Sequence, residues 1–421
     1  MSPASGLTSG RGSSTDFELK IEALVSKVWP SADVQVTRRA KPAQHIFEIE
    51  IAWTGQKKKH ARFETYSLSL NAAADKMRLR ATVSTLKLYE RLLDIPIEPA
   101  HVGIHLPKLK GYAFDDNNPP GTPYTLTELR EGKTLQDLFV KMGNSPKERL
   151  ALALRFAKPL GQLYRKILEC ATNEKEAGKP ITGKDPHGKD IVQIERFFPQ
   201  PKKSSAITKG SQVAQLMSNN FLYLKDRYSD DSPIPELKDS YHNAVSIVQG
   251  LEKQGWLKDV TLALVDPGIG PTRFTIDNEN NWTQYNPSSS AILAPAFMAC
   301  RPPVWLWQPS KRFVAFGSAE WKHDGNEDWA SVESEKDYAA VKQAFDEAAG
   351  ELYNKYAYEK HYRFARRLGW SAVRTTVNED VVRHAYKKES REAFANGEDF
   401  ADGRELNGLF ALWGNGTMKN V

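Results

Sequence analysis

The sequence predicts an α+β fold of two lobes, a small antiparallel-sheet lobe followed by a large, mainly helical one. Three observations predict it. Ile46–Trp53 (IFEIEIAW) alternates apolar and acidic residues, as a strand with one buried face does. Ala72–Leu93 repeats apolar residues at helical spacing, with Met77, Val83, Leu86, Tyr89, Leu92 and Leu93 on one stripe. Beyond residue 133 the texture changes to long helical patterns, broken once by a β-rich patch at Val260–Tyr285.

In chain order, residues 1–15 are Ser/Gly-rich and read as a disordered tail. The sheet lobe then covers 16–127. It opens on the amphipathic segment Phe17–Trp29, followed by strands near Val34–Thr37, Ile46–Trp53 and Ala61–Leu70, the helix Ala72–Leu93, and short strands at Lys108–Phe114 and Tyr124–Leu129. A turn rich in Asp, Asn, Pro and Gly, Asp115–Gly121, joins the last two. The helical lobe covers 128–421. Its helical patterns are Leu135–Met142, Lys147–Ala171, Ser211–Tyr228, Pro235–Gln254, Glu335–Arg366 and Asn378–Asn396.

Composition bounds the function. The chain has 421 residues, 40% of them hydrophobic and 10% aromatic, ample for a large core. A net charge of +6 over this length is mild and shows no concentrated basic stripe, so no nucleic-acid partner is expected. Lys57–Lys59 and Lys202-Lys203 read as solvated turns. The two cysteines, Cys170 and Cys300, are too few for a disulfide framework or a four-cysteine zinc site. No apolar run approaches the ~20 residues of a membrane span, and the N-terminal segment lacks the apolar centre of a secretion signal. A cytoplasmic protein acting without a membrane is expected.

The order of small sheet lobe, strand-like connector and helical lobe suggests a protein-kinase-like two-lobed fold. Specific segments sharpen this. Leu93–Ile97, then Pro107–Asp115 (PKLKGYAFD) and Gly121–Leu138 (GTPYTLTELREGKTLQDL), resemble the aminoglycoside phosphotransferase and choline kinase-like family, its fungal members most of all. Ala291–Trp307 (AILAPAFMACRPPVWLW) is similar to another segment of that group. The resemblance implies four sets of functional residues. A basic strand residue pairs with a helix carboxylate over the nucleotide phosphates, a loop Asp orients the acceptor hydroxyl, and a loop Asn and a later Asp hold Mg²⁺.

Carried over position by position, these sets are broken. The strand base falls on Arg62 and its helix carboxylate on Thr82, which cannot form the ion pair. Within the degenerate loop 264–290, Asp266 stands in place of the loop His, Gly268 in place of the catalytic Asp, and Arg273 in place of the metal-binding Asn. The later metal Asp falls on Asn286 or Pro287. A guanidinium at Arg273 repels Mg²⁺. The resemblance therefore implies a pseudokinase-like member, with no metal and no cofactor expected.

The replacement set suggests other chemistry. Asp266, Arg273 and Asp277 are the candidate catalytic residues: Asp266 as general acid or base, Arg273 as an oxyanion or carboxylate ligand. A simple ion pair between Arg273 and Asp266 or Asp277 is the structural alternative. Arg62, Tyr285, Asn286, Trp305 and Trp307 are the candidate substrate-binding residues, the aromatics walling a pocket for a bulky organic ligand or, alternatively, packing helices. The expected function is metal-free cyclisation, isomerisation or elimination on a small organic substrate, in keeping with fungal specialised metabolism. The alternatives are a non-catalytic pseudokinase that binds a ligand or a protein partner, and an atypical small-molecule kinase.

Overall fold

The computed structural model describes residues 11–30, 33–41, 46–53, 62–70, 76–93, 105–130, 132–141, 145–170, 174–187, 189–199, 209–227, 236–307 and 336–373. The chain forms two compact units. The first comprises Met1–Leu135, Ile181–Val192 and Thr272–Ser289, and the second Gln136–Pro180, Gln193–Pro271 and Ser290–Val421. The sequence placed a single boundary after residue 127 and gave the whole 264–290 loop to the helical lobe. The structure divides the chain differently, because the loop's second half pairs with strands of the first unit.

The first unit opens with α1 (Arg11–Val28), so helix begins inside the segment read as a disordered tail. Strands β1 (Asp33–Lys41), β2 (Ile46–Trp53) and β3 (Arg62–Leu70) lead into α2 (Lys76–Leu93), then β4 (Leu109–Ala113) and β5 (Tyr124–Glu128). The five strands form one antiparallel sheet in the order β1-β2-β3-β5-β4. Its register sets Ile49 opposite Tyr66 and Leu68 opposite Leu126. Because side chains alternate across a strand, these residues share one face. The helical spacing of Ile21, Leu24 and Val25 lays α1 onto that face, and all of them are buried together with Tyr124. On α2 the buried stripe is Leu79, Val83, Leu86 and Tyr89. Met77, expected on that stripe, is 84% exposed.

A second sheet belongs to the same unit. β6 (Lys133–Thr134), β10 (Phe274–Ile276) and β11 (Trp282–Tyr285) pair antiparallel in the order β11-β10-β6. Thr275 faces Thr134 and Phe274 faces Tyr285.

The second unit is mainly helical. It contains α3 (Leu135–Lys141) from its second residue, α4 (Pro146–Glu169), α5 (Gln212–Arg227), α6 (Glu236–Lys253), α7 (Ala339–Tyr358) and α8 (Lys360–Val373). The pattern read as one helix over Glu335–Arg366 is two, and α7 itself breaks at Gly350 (φ 84, ψ 173). A positive φ of this kind is tolerated by glycine alone without strain. The Asn354 amide donates across the break to the Asp346 carbonyl at 3.0 Å. Asn378–Asn396 lies outside the described residues.

The third sheet runs in the order β8-β7-β12-β9, from β7 (Gly178–Lys184), β8 (Asp190–Arg196), β9 (Leu262–Val265) and β12 (Ile292–Pro295). β9 and β12 are buried along their whole length, which explains their continuous apolar sequences. The β7–β8 hairpin was not legible in the sequence. Among the described residues no helix is long and apolar enough to cross a membrane.

Candidate functional site

In the first unit the site residues gather on the β10–β11 hairpin. Phe274 stacks on Tyr285 with ring centroids 5.3 Å apart and meets Trp282 edge-on at 4.5 Å. Tyr285 is fully buried. Its hydroxyl lies 3.3 Å from that of Tyr89 on α2, and its backbone N–H donates to the His105 carbonyl. This aromatic stack fixes the two strand ends that carry Arg273 and Asn286. The Asn286 N–H donates to the Arg273 carbonyl at 2.8 Å, and the Asn286 amide donates to Thr275 Oγ1 at 3.2 Å. Arg273 and Asn286 are thus neighbours.

Asp277 has a different surrounding. Its carboxylate accepts the Glu279 and Asn281 N–H groups, at 2.9 and 2.7 Å, and the Asn281 side-chain amide at 3.1 Å. Asn280 takes a positive φ of 61°, closing the turn between β10 and β11. Asp-Asn-Glu-Asn-Asn is a sequence rich in residues that accept such geometry, a signal that was available beforehand. Asp277→Ala is expected to destabilise the protein by about 1–2 kcal/mol, whereas Asp277→Asn, which keeps an acceptor oxygen, loses less than half as much. Urea unfolding of both variants checks this. A large loss of activity in Asp277→Asn without loss of stability assigns the carboxylate a chemical role instead.

Arg62 begins β3, its backbone paired with Trp53 of β2, and its side chain lies outside the described residues. Thr82 bonds back into its own helix, its hydroxyl donating to the Arg78 carbonyl at 2.9 Å. Sequence reasoning missed Gln284. Its buried amide accepts from the Arg130 N–H at 3.0 Å and donates to the Glu128 carbonyl at 3.4 Å, tying β11 to the end of β5.

The remaining site residues lie in the second unit. Asp266 directly follows β9, with 7% exposure. Its carboxylate accepts the Gly268 N–H at 2.8 Å, so Asp-Pro-Gly forms a tight side-chain-closed turn. Burial pushes the Tyr164 phenol far above its ordinary pKa. The Arg301 charge works against that rise and the Asp266 charge adds to it. Trp305 and Trp307 are fully buried, and the Trp307 ring packs on Phe345 at 5.5 Å. Phe345 also meets Tyr164 and Tyr353, so these aromatics are packing elements of α4, α7 and their neighbours, and the structure brings neither tryptophan to a surface.

The donor set at Arg273 and Asn286 is a poor fit for Mg²⁺, which takes carboxylate and other oxygen ligands in octahedral geometry. One position carries a cation. The other carries an amide whose nitrogen is engaged by Thr275. Among the described residues no group of three or more His, Cys, Asp or Glu side chains is arranged to hold a metal ion.

No family model and no curated protein matches this sequence. Solved structures do. Aminoglycoside phosphotransferase APH(4)-Ia is 15% identical, covering 86% of this chain and 100% of its own, with a TM-score of 0.32. An ethanolamine kinase of Plasmodium vivax is 9% identical over 94% of each chain, TM-score 0.37. A macrolide 2'-phosphotransferase is 11% identical, covering 98% of this chain and 100% of its own, TM-score 0.36. At such identities and scores the likeness says nothing of what this chain binds or does.

Proposed function

We propose that this chain has a phosphotransferase-like fold that no longer transfers phosphoryl groups from Mg²⁺-ATP, and that its loop serves metal-free acid/base chemistry on a small organic substrate. One observation carries the reading. Arg273 and Asn286 are joined by a 2.8 Å backbone hydrogen bond; the sequence resemblance puts the loop Asn on Arg273 and the later metal Asp on Asn286 or Pro287, and none of these is a carboxylate. Phosphoryl transfer depends on charge neutralisation and positioning, so the loss of both ligands removes most of it.

In this reading Asp266 carries the proton. Its carboxyl is buried and accepts the Gly268 N–H, which fixes its orientation. The Arg273 guanidinium, permanently charged and planar, suits an enolate or carboxylate oxygen. Cyclisation, isomerisation and elimination each need no more than a proton donor or acceptor and a stabilised oxyanion. A role in fungal specialised metabolism fits the same resemblance, and a cytoplasmic setting fits the two cysteines and the lack of a membrane-spanning run in the sequence. A second reading, a non-catalytic binder of a ligand or partner protein, is favoured by the turn-closing bonds that engage the carboxylates of both Asp266 and Asp277.

Isothermal titration calorimetry with ATP, with and without Mg²⁺, is the direct test. The expected result is no metal-dependent heat, which corresponds to a Kd weaker than about 1 mM. Tight Mg²⁺-dependent binding overturns the proposal. With a substrate in hand, Asp266→Asn and Arg273→Met each lower kcat by about 100-fold or more if the loop is chemical. If the protein is a binder, the same changes alter Kd alone.

A further inference from the structure

The β7–β8 hairpin carries a feature that the proposed chemistry does not use. Its tip, Ile181–Val192, is part of the first unit. The tip is internally ordered, since the Asp185 carboxylate accepts the His187 and Lys189 N–H groups, both at 2.8 Å, and the Asp185 N–H donates to the Lys189 carbonyl. Yet no described residue between 181 and 192 is buried. The tip is therefore held by polar contacts rather than by apolar burial.

Those contacts converge on one carboxylate. Asp190 accepts the hydroxyl proton of Tyr112 on β4, and is paired with Lys184 at 2.7 Å and with Lys87 of α2 at 3.6 Å. Lys87 also donates to the Tyr112 hydroxyl at 2.7 Å, with its ammonium 4.6 Å from that ring's centre. A flanking bond joins Ser84 Oγ of α2 to Thr182 Oγ1 at 2.8 Å, and Arg91 reaches the Val192 carbonyl at 3.4 Å. Two ammonium groups and one phenol share a single anion, so removing that anion leaves two like charges opposed.

We propose that the β7–β8 hairpin is a releasable strap, latched onto α2 and β4 by Asp190 and opened by ionic strength. Half-exposed ion pairs of this kind are individually weak and screened by salt, whereas the apolar stripe that holds α2 in the first unit is not. The strap therefore opens without unfolding either unit, as the least stable parts of proteins do. Partial burial opposes ionisation of Asp190, but the bonds from Lys184 and Tyr112 and the charge of Lys87 outweigh it and lower its pKa. Its contribution is present above the unfolded carboxylate value and is lost only as the pH falls through the lower folded value. At neutral pH, salt is accordingly the operative variable. The strap is independent of the proposed chemistry at Asp266 and Arg273.

Hydrogen exchange read by mass spectrometry on the full chain tests it. In Asp190→Asn, amides of 181–192 exchange about 10-fold faster than in the wild type while those of α4 do not change. Raising NaCl from about 50 mM to about 1 M accelerates the wild-type tip and leaves the variant unaffected. Lys184→Gln, at an ammonium 68% exposed, gives a smaller acceleration in the same segment and serves if Asp190→Asn does not fold. Tip exchange that is insensitive to salt in the wild type, or that rises in step with α4, overturns the proposal.

Discussion

Arg366→Met will destabilise the protein by about 3–5 kcal/mol. The guanidinium is 1% exposed and donates to four backbone carbonyls: Cys300 at 2.7 Å, Tyr356 at 2.9 Å, and Phe297 and Ala357 at 3.2 Å. Tyr356 and Ala357 lie in the last turn of α7, where carbonyls lack intrahelical partners and the helix dipole favours a cation. Phe297 and Cys300 belong to the buried 3₁₀ turn Ala296–Ala299 and its cap. One side chain therefore satisfies the end of α7 and a turn far away in sequence. Methionine fills the volume but abandons all four acceptors in a buried setting, and each costs free energy. Nη1 reaches three of these carbonyls and Nη2 only that of Ala357, so Arg366→Lys, which keeps the charge and three donors, recovers part of the loss. Urea unfolding monitored by tryptophan fluorescence measures the effect. A loss below about 1 kcal/mol in Arg366→Met refutes it.

Gly161→Val will cost about 3 kcal/mol, seen as a fall in Tm of about 6–12 °C by circular dichroism. A Cβ at position 161 of α4 would stand 2.5 Å from the Phe345 carbonyl and 2.8 Å from the Ala348 Cβ, both on α7. Both atoms are backbone or backbone-attached, so no rotamer change relieves the clash. The helices must part, and the aromatic contacts of Tyr164 with Phe345 and Tyr353, at 5.7 and 5.1 Å, part with them. Gly161→Ala is milder, since a gain in helix propensity of about 1 kcal/mol offsets part of the strain. An unchanged Tm in Gly161→Val shows that α4 and α7 do not approach as closely as described.

What the sequence revealed follows from where its patterns are strong. Strand β2 spans Ile46–Trp53, the range its alternating pattern predicts, with Ile49 buried within it. Helices α5 and α6 lie within one residue at each end of the patterns that predicted them. The β7–β8 hairpin was invisible for the same physical reason that makes it a strap: with no buried residue at its tip, it has no apolar alternation to read. The break at Gly350 was hidden because apolar spacing continues across it, from Phe345 to Tyr353 and Tyr356. At the site, the turn closed by Asp277 was legible in its run of Asp and Asn residues. The tie made by Gln284 was not, since a polar residue on a short strand carries no sign of which backbone groups it will meet.

The division of the chain also bears on how the protein is made. Strands β10 and β11 complete the first unit, yet Thr272–Ser289 leaves the ribosome roughly 150 residues after Leu135. At about 5–20 residues per second, the N-terminal sheet waits roughly 8–30 s for its last pieces. During that interval β5 ends without the Gln284 tie, and α2 lacks the ring of Tyr285 beside Tyr89. A nascent chain stopped before residue 272 is thus an unfinished lobe, and expression of residues 1–135 alone yields a fragment with an open flank suited to chaperone capture rather than a free-standing domain.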